Sequence, residues 1–82
     1  MLSGMLWLDT DQRRTLEEKV LRAAHYYQEK YGRQPQLCLV NESMLPEEMH
    51  VGEVQVRPVP NMVVHHFLLG ADSAGAANSA TV

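Results

Sequence analysis

The spacing of hydrophobic positions changes character twice along the chain. From Leu16, the apolar positions Val20, Ala24, Tyr27 and Tyr31 recur every three or four residues, which places them on one stripe of an α-helix. Thr15 and Glu18 have the spacing of a capping box, in which hydroxyl and carboxylate satisfy two otherwise orphaned N–H groups. Asp11 is a competing cap one turn earlier. Glu17 and Glu18 lie at the positive end of the helix dipole and Lys30 and Arg33 at the negative end, and Glu18 with Arg22 adds an i,i+4 pair. Gly32 supplies the left-handed residue of a C-cap and Pro35 prevents resumption, so the pattern predicts a helix over residues 12–31.

The flanking stretches read as strands. Leu37-Cys38-Leu39-Val40 is a continuous apolar run between Pro35 and Asn41, the signature of an interior strand. Met5-Leu6-Trp7-Leu8 has the same character, with a loosely docked terminus as its alternative. Strand, helix and strand joined by short connections predict a βαβ unit with parallel strands and a right-handed crossover. Residues 41–52 read as a connecting loop around Pro46, and Glu53–Arg57 alternates as a strand with one wet face, ended by Pro58 and Pro60. Met62–Leu69 is the last predicted strand, forming a hairpin with the one before it. The expected fold class is α+β: a small single-domain βαβββ, one helix packed on a three- to four-stranded mixed sheet, over residues 1–69. Residues 70–82 are expected to be a disordered C-terminal tail, because they bring almost no large apolar side chain to offset the entropy of ordering.

This arrangement is short of cover. In the last predicted strand, Val63, His65, Phe67 and Leu69 face one side and Met62, Val64, His66 and Leu68 the other, so both faces are largely apolar. One helix covers one face of a sheet. The second needs the loop at 41–52 and the N-terminal segment, or a second copy of the chain. The expected interface is Met62, Val64, His66 and Leu68, and the expected partner is a second copy of the chain or another protein.

Charge and composition narrow the choice of partner. Ten acidic against seven basic residues, a net charge of −3, leave no positive footprint for phosphate neutralisation, and nucleic acid is not expected as a partner. Arg13, Arg14 and Arg57 are the basic residues that folding would have to gather for a nucleic-acid-associated regulator. Cys38 is the one cysteine, so no internal disulfide is possible, and a cytoplasmic setting is the expectation. Met1–Leu8 is too short to span a bilayer and has no basic residue ahead of it, so no membrane association is expected.

Candidate chemistry concentrates at the carboxyl ends of the predicted parallel strands, where ligands of open α/β sheets gather. Asp9, Asp11, Asn41 and Glu42 would meet there, with Glu47, Glu48 and His50 beyond, a set of hard oxygen donors suited to Mg²⁺ or Ca²⁺. Over four residues, Leu8-Asp9-Thr10-Asp11 resembles the hydrophobic-Asp-x-Asp start of the haloacid-dehalogenase-like phosphatases; the chain is too short for the rest of such an enzyme. Cys38, His50, His65 and His66 offer zinc ligands without the spacing of a common zinc module, and neighbours on a strand such as His65 and His66 point apart. Ser43, Cys38 and His50 carry no nucleophile elbow, the glycines are scattered singly, and Tyr27 and Tyr31 lie on the core stripe rather than on a stacking platform. No cofactor is expected. The expected function is a small non-catalytic interaction module that self-associates through an apolar sheet face or edge; the alternative is a divalent-metal or ligand-binding protein using the acidic corner.

Overall fold

The computed structural model describes residues 2–72: strand β1 (Leu2–Leu8), helix α1 (Leu16–Tyr31), and strands β2 (Leu37–Asn41), β3 (Met49–Val51), β4 (Val54–Val59) and β5 (His66–Asp72). The fold is α+β, one helix packed on a mixed sheet of five strands in the order β1-β5-β2-β4-β3. The α+β class is as expected, and the sheet has five strands where three to four were expected.

The helix follows its caps. Thr15 accepts from the Glu18 N–H at 3.1 Å while the Glu18 carboxylate accepts from the Thr15 N–H at 2.8 Å, so the capping box is complete. The start is therefore Leu16, later than residue 12, and Asp11 instead accepts from the Arg13 N–H outside the helix. Gly32 closes the other end at φ 79°, its N–H donating to the Gln28 carbonyl at 2.7 Å. Val20, Ala23, Ala24 and Tyr27 are buried, whereas Tyr31 at the end of the stripe is partly exposed.

Two expectations about the sheet need correction. Strands β1 and β2 both pair with β5 antiparallel, so they run parallel to each other with β5 inserted between them, a split βαβ unit rather than an adjacent pair. The hairpin joins β3 to β4, not β4 to β5, through the two-residue turn Gly52-Glu53. Gly52 takes φ 60° in the first turn position, which a II′ hairpin turn requires and a side chain resists. Strand β4 runs on through Pro58, because there its only neighbour is β2; β3 begins opposite Val56, so the missing N–H costs no ladder bond.

Strand β5 is also shifted. It starts at His66 rather than Met62 and extends through Gly70, Ala71 and Asp72, with Ala71 buried opposite Ser3. Residues 70–72 are thus strand, and 73–82 lie outside the described residues. The core lies between helix and sheet, where Val20, Ala23 and Tyr27 meet Cys38, Val40, Val56, Phe67 and Leu69, with Met5 and Trp7 packed against them. Trp7 stacks on Tyr26 with ring centroids 4.6 Å apart.

Candidate functional site

Because successive side chains of a strand point to opposite faces, the pairing register fixes what the helix does not cover. Met5 and Trp7 of β1 lie opposite Leu69 and Phe67 of β5 on the helix side. Leu6 and Leu8 lie opposite Leu68 and His66 on the other side. One cross-strand row on that open face runs Leu6, Leu68, Leu39 and Arg57; the next runs Gly4, Gly70, Leu37, Gln55 and His50. Leu6 is 62% exposed and Leu8 57%. A Cβ placed on Gly4 would stand 3.3 Å from Leu68 Cδ1, so Leu68 leans into the space the glycines leave.

The open face has two halves of different chemistry. Strands β1, β5 and β2 present Leu6, Leu8, Leu68, Leu37 and Leu39. Strands β4 and β3 present Gln55, Arg57 and His50, and Glu48 accepts from Arg57 Nε and Gln55 Nε2, each at 2.9 Å. These donors, Arg57 first, hold the Glu48 carboxyl below the usual carboxylate range.

Of the expected interface residues, Leu68 and His66 lie on this face. Met62 and Val64 belong to the segment before β5, where Val63 and Val64 are exposed. Leu6, Leu8, Leu37 and Leu39 share this face and were not among the expected interface residues. Their signal was present in the two-sided apolar character of both flanking strands.

The acidic corner is organised for structure. Asp9 and Asn41 stand at the carboxyl ends of β1 and β2, and both tie down the segment leading into β5. The Asp9 N–H donates to the His65 carbonyl at 3.1 Å, and Asn41 Nδ2 donates to the Met62 carbonyl at 2.6 Å. Asn41 Oδ1 also accepts from the Ser43 N–H, and Glu42 is exposed. Asp9 and Asp11 do come together, but around arginine: Arg14 Nη1 is 2.6 Å from Asp11 Oδ2 and 3.9 Å from Asp9 Oδ1, and Arg13 Nε is 3.1 Å from Asp11 Oδ1. Hydrogen bonding from Arg13, with Arg14 nearby, holds the Asp11 carboxyl below its ordinary range. The two guanidinium groups thus engage the Asp11 carboxylate, while Asp9 Oδ2 is buried without a hydrogen-bond partner.

The remaining candidates are scattered. Cys38 is buried under the helix, where burial pushes its thiol up to about 12. His50 lies on the open face and His65 in the turn before β5; no group of three or more His, Cys, Asp or Glu side chains among the described residues could hold a metal ion. Ser43 is exposed in the turn after β2, far in environment from the buried Cys38. The arginines do not merge into a basic corner, since Arg57 is engaged by Glu48 and Arg13 and Arg14 by the aspartates. A cleft of about 320 Å³ between Leu21 and Ala24 of the helix and the β3–β4 turn carries Glu53 as its one ionisable lining residue and no nucleophile. No helix of the described residues is long and apolar enough to cross a membrane. No protein-family model, curated protein or solved structure matches this chain.

Proposed function

We propose that this protein is a non-catalytic interaction module that self-associates by burying the leucine half of its open sheet face against a second copy. The observation that carries the reading is the leucine surface on the side the helix leaves uncovered, with Leu6 and Leu8 exposed and Leu68, Leu39 and Leu37 half-buried beside them. A contiguous apolar patch rimmed by polar groups marks an association surface, and here Arg57, Glu48 and Gln55 supply the rim. Because an isologous contact places the same patch on both copies, leucine meets leucine and the charged half stays at the periphery. A cytoplasmic setting belongs to the same reading, with Cys38 kept as a buried thiol.

The test is Leu39→Lys, which places a charge on the central strand β2 where the apolar row meets Arg57. Sedimentation equilibrium should show wild-type mass above 9.3 kDa and the variant at 9.3 kDa. Equal masses for the two proteins would reject the face as the contact.

A further inference from the structure

We infer that a second copy adds to the sheet edge-on, through antiparallel pairing of β1 with β1 of the other copy about a two-fold axis at Trp7. The inference rests on the self-association reading and adds which backbone groups make the contact.

The two edges of the sheet are unlike. The β3 edge is three residues long and lies between Glu48 and Glu53, the short and charged form that discourages further pairing. The β1 edge is seven residues long, Leu-Ser-Gly-Met-Leu-Trp-Leu, with neither charge nor proline. An exposed apolar edge of this kind is a ready template for another strand.

Which β1 groups are available follows from one hydrogen bond. The Asp9 N–H donates to the His65 carbonyl, and the register places Leu8 opposite His66. Hydrogen-bonded and non-bonded pairs alternate along an antiparallel ladder, so Trp7 and Met5 bond to β5 while Leu8, Leu6 and Gly4 turn their N–H and C=O groups outward. Tyr31 confirms the alternation, since its hydroxyl donates to the outward Gly4 carbonyl at 3.1 Å.

That same tyrosine sets the register. It occupies the Gly4 end of the edge and leaves Leu6 and Leu8 as the open pairing groups. An antiparallel partner must match outward residues with outward residues, so a two-fold axis passes through a residue rather than between two. Centring on Trp7 pairs Leu6 with Leu8 of the partner and Leu8 with Leu6, and leaves the Tyr31 contact intact.

Area argues for edge pairing in addition to face contact. Three strands about 4.8 Å apart, with leucines over roughly 17 Å of their length, give a patch of about 250 Å². Two such patches face to face total about 500 Å², half of the roughly 1,000 Å² a specific interface needs. Edge pairing with a second copy makes two patches contiguous across the axis, and two such pairs stacked on their leucine faces, four chains in all, reach that size.

Amide hydrogen exchange of the full chain across a dilution series tests the pairing directly, with sedimentation run on the same samples. The expected result is that the Leu6 and Leu8 amides are protected at high concentration and exchange at least tenfold faster on dilution, whereas Met5 and Trp7, bonded to β5, do not change. Leu6→Pro removes an outward N–H that an edge strand can lose without harming its own sheet, and should bring the mass to 9.3 kDa, while Leu6→Ala stays associated. Exchange at Leu6 and Leu8 that ignores concentration while the mass changes would overturn edge pairing and leave the face reading standing. A mass of 9.3 kDa at every concentration would overturn both.

Discussion

Leu68 and Leu69 are neighbours on β5 that point to opposite faces, so a single dipeptide can separate folding from the proposed association. Leu69 is fully buried against the helix, so Leu69→Ala removes core methylenes and leaves a cavity, a loss of about 2–5 kcal/mol. A chain of this length has roughly 4–12 kcal/mol of stability in total. At about 4–8 °C per kcal/mol the melting temperature should fall by about 10–40 °C at every protein concentration. Leu68 lies between Leu6 and Leu39 on the open face, on the side of the sheet away from Phe67 and Leu69 of the core. Leu68→Lys should change the stability of the separate chain by no more than about 1 kcal/mol, the size of an ordinary substitution. Its effect is on linkage: a partner at a hundredfold excess over Kd adds roughly 2.7 kcal/mol to the native state, so the wild-type melting temperature should climb with concentration. Thermal melts followed by circular dichroism from 1 to 100 times a low micromolar starting concentration, about two decades, should show that climb in wild type and in Leu69→Ala, and a flat line in Leu68→Lys. A Leu68→Lys variant that keeps the wild-type slope, or loses as much stability as Leu69→Ala when dilute, would refute the assignment of the two faces.

Other consequences are local. Thr15→Ala removes the hydroxyl that accepts from the Glu18 N–H, while the backbone N–H of residue 15 can still donate to the Glu18 carboxylate, and should cost about 0.5–2 kcal/mol in a urea melt. His65 is held at φ 70°, a left-handed conformation costing an L-residue about 1–2 kcal/mol, and glycine gives back about 0.5–1 kcal/mol of that in chain entropy. His65→Gly should therefore raise stability by about 0.5–1 kcal/mol in the same assay. Asp11 has its carboxyl lowered by the folded-state hydrogen bonds from Arg13, so its contribution is present above about pH 4 and is lost as pH falls through the lower folded value; Asp11→Asn should flatten that part of an acid titration. Cys38, with its thiol raised to about 12 by burial, should resist a thiol reagent at pH 8 in the native protein and react on unfolding.

The helix was legible because its signals are local: the Thr15–Glu18 box and Gly32 each act within four residues, and the structure places both caps as the spacing requires. Strand pairing is not local, which is why β5 was paired with the wrong neighbour. Its two apolar faces were read as a shortage of cover, and the interior slot that it occupies between β1 and β2 is reached only by comparing strands far apart in sequence. Gly70 and Ala71 read as tail because they offer little surface to bury, yet Gly70 sits in the ladder between β1 and β2, and Ala71 pairs with β1 and buries its methyl in the core. Strand β3 was missed as three residues inside a loop, though Met49 and Val51 before Gly52-Glu53, with Val54 and Val56 after, is the alternation of a tight hairpin. At the acidic corner, composition collected the right residues for a cation. Arg13 and Arg14, adjacent in sequence, fold back onto the aspartates and take that role.

Burial of the leucine half of the open face between copies must show in the molar mass, measured by light scattering coupled to size exclusion on the full chain from the lowest detectable concentration upward. The mass should rise with concentration to at least twice 9.3 kDa, and return to 9.3 kDa in Leu39→Lys. A wild-type mass fixed at 9.3 kDa over the whole range would contradict it.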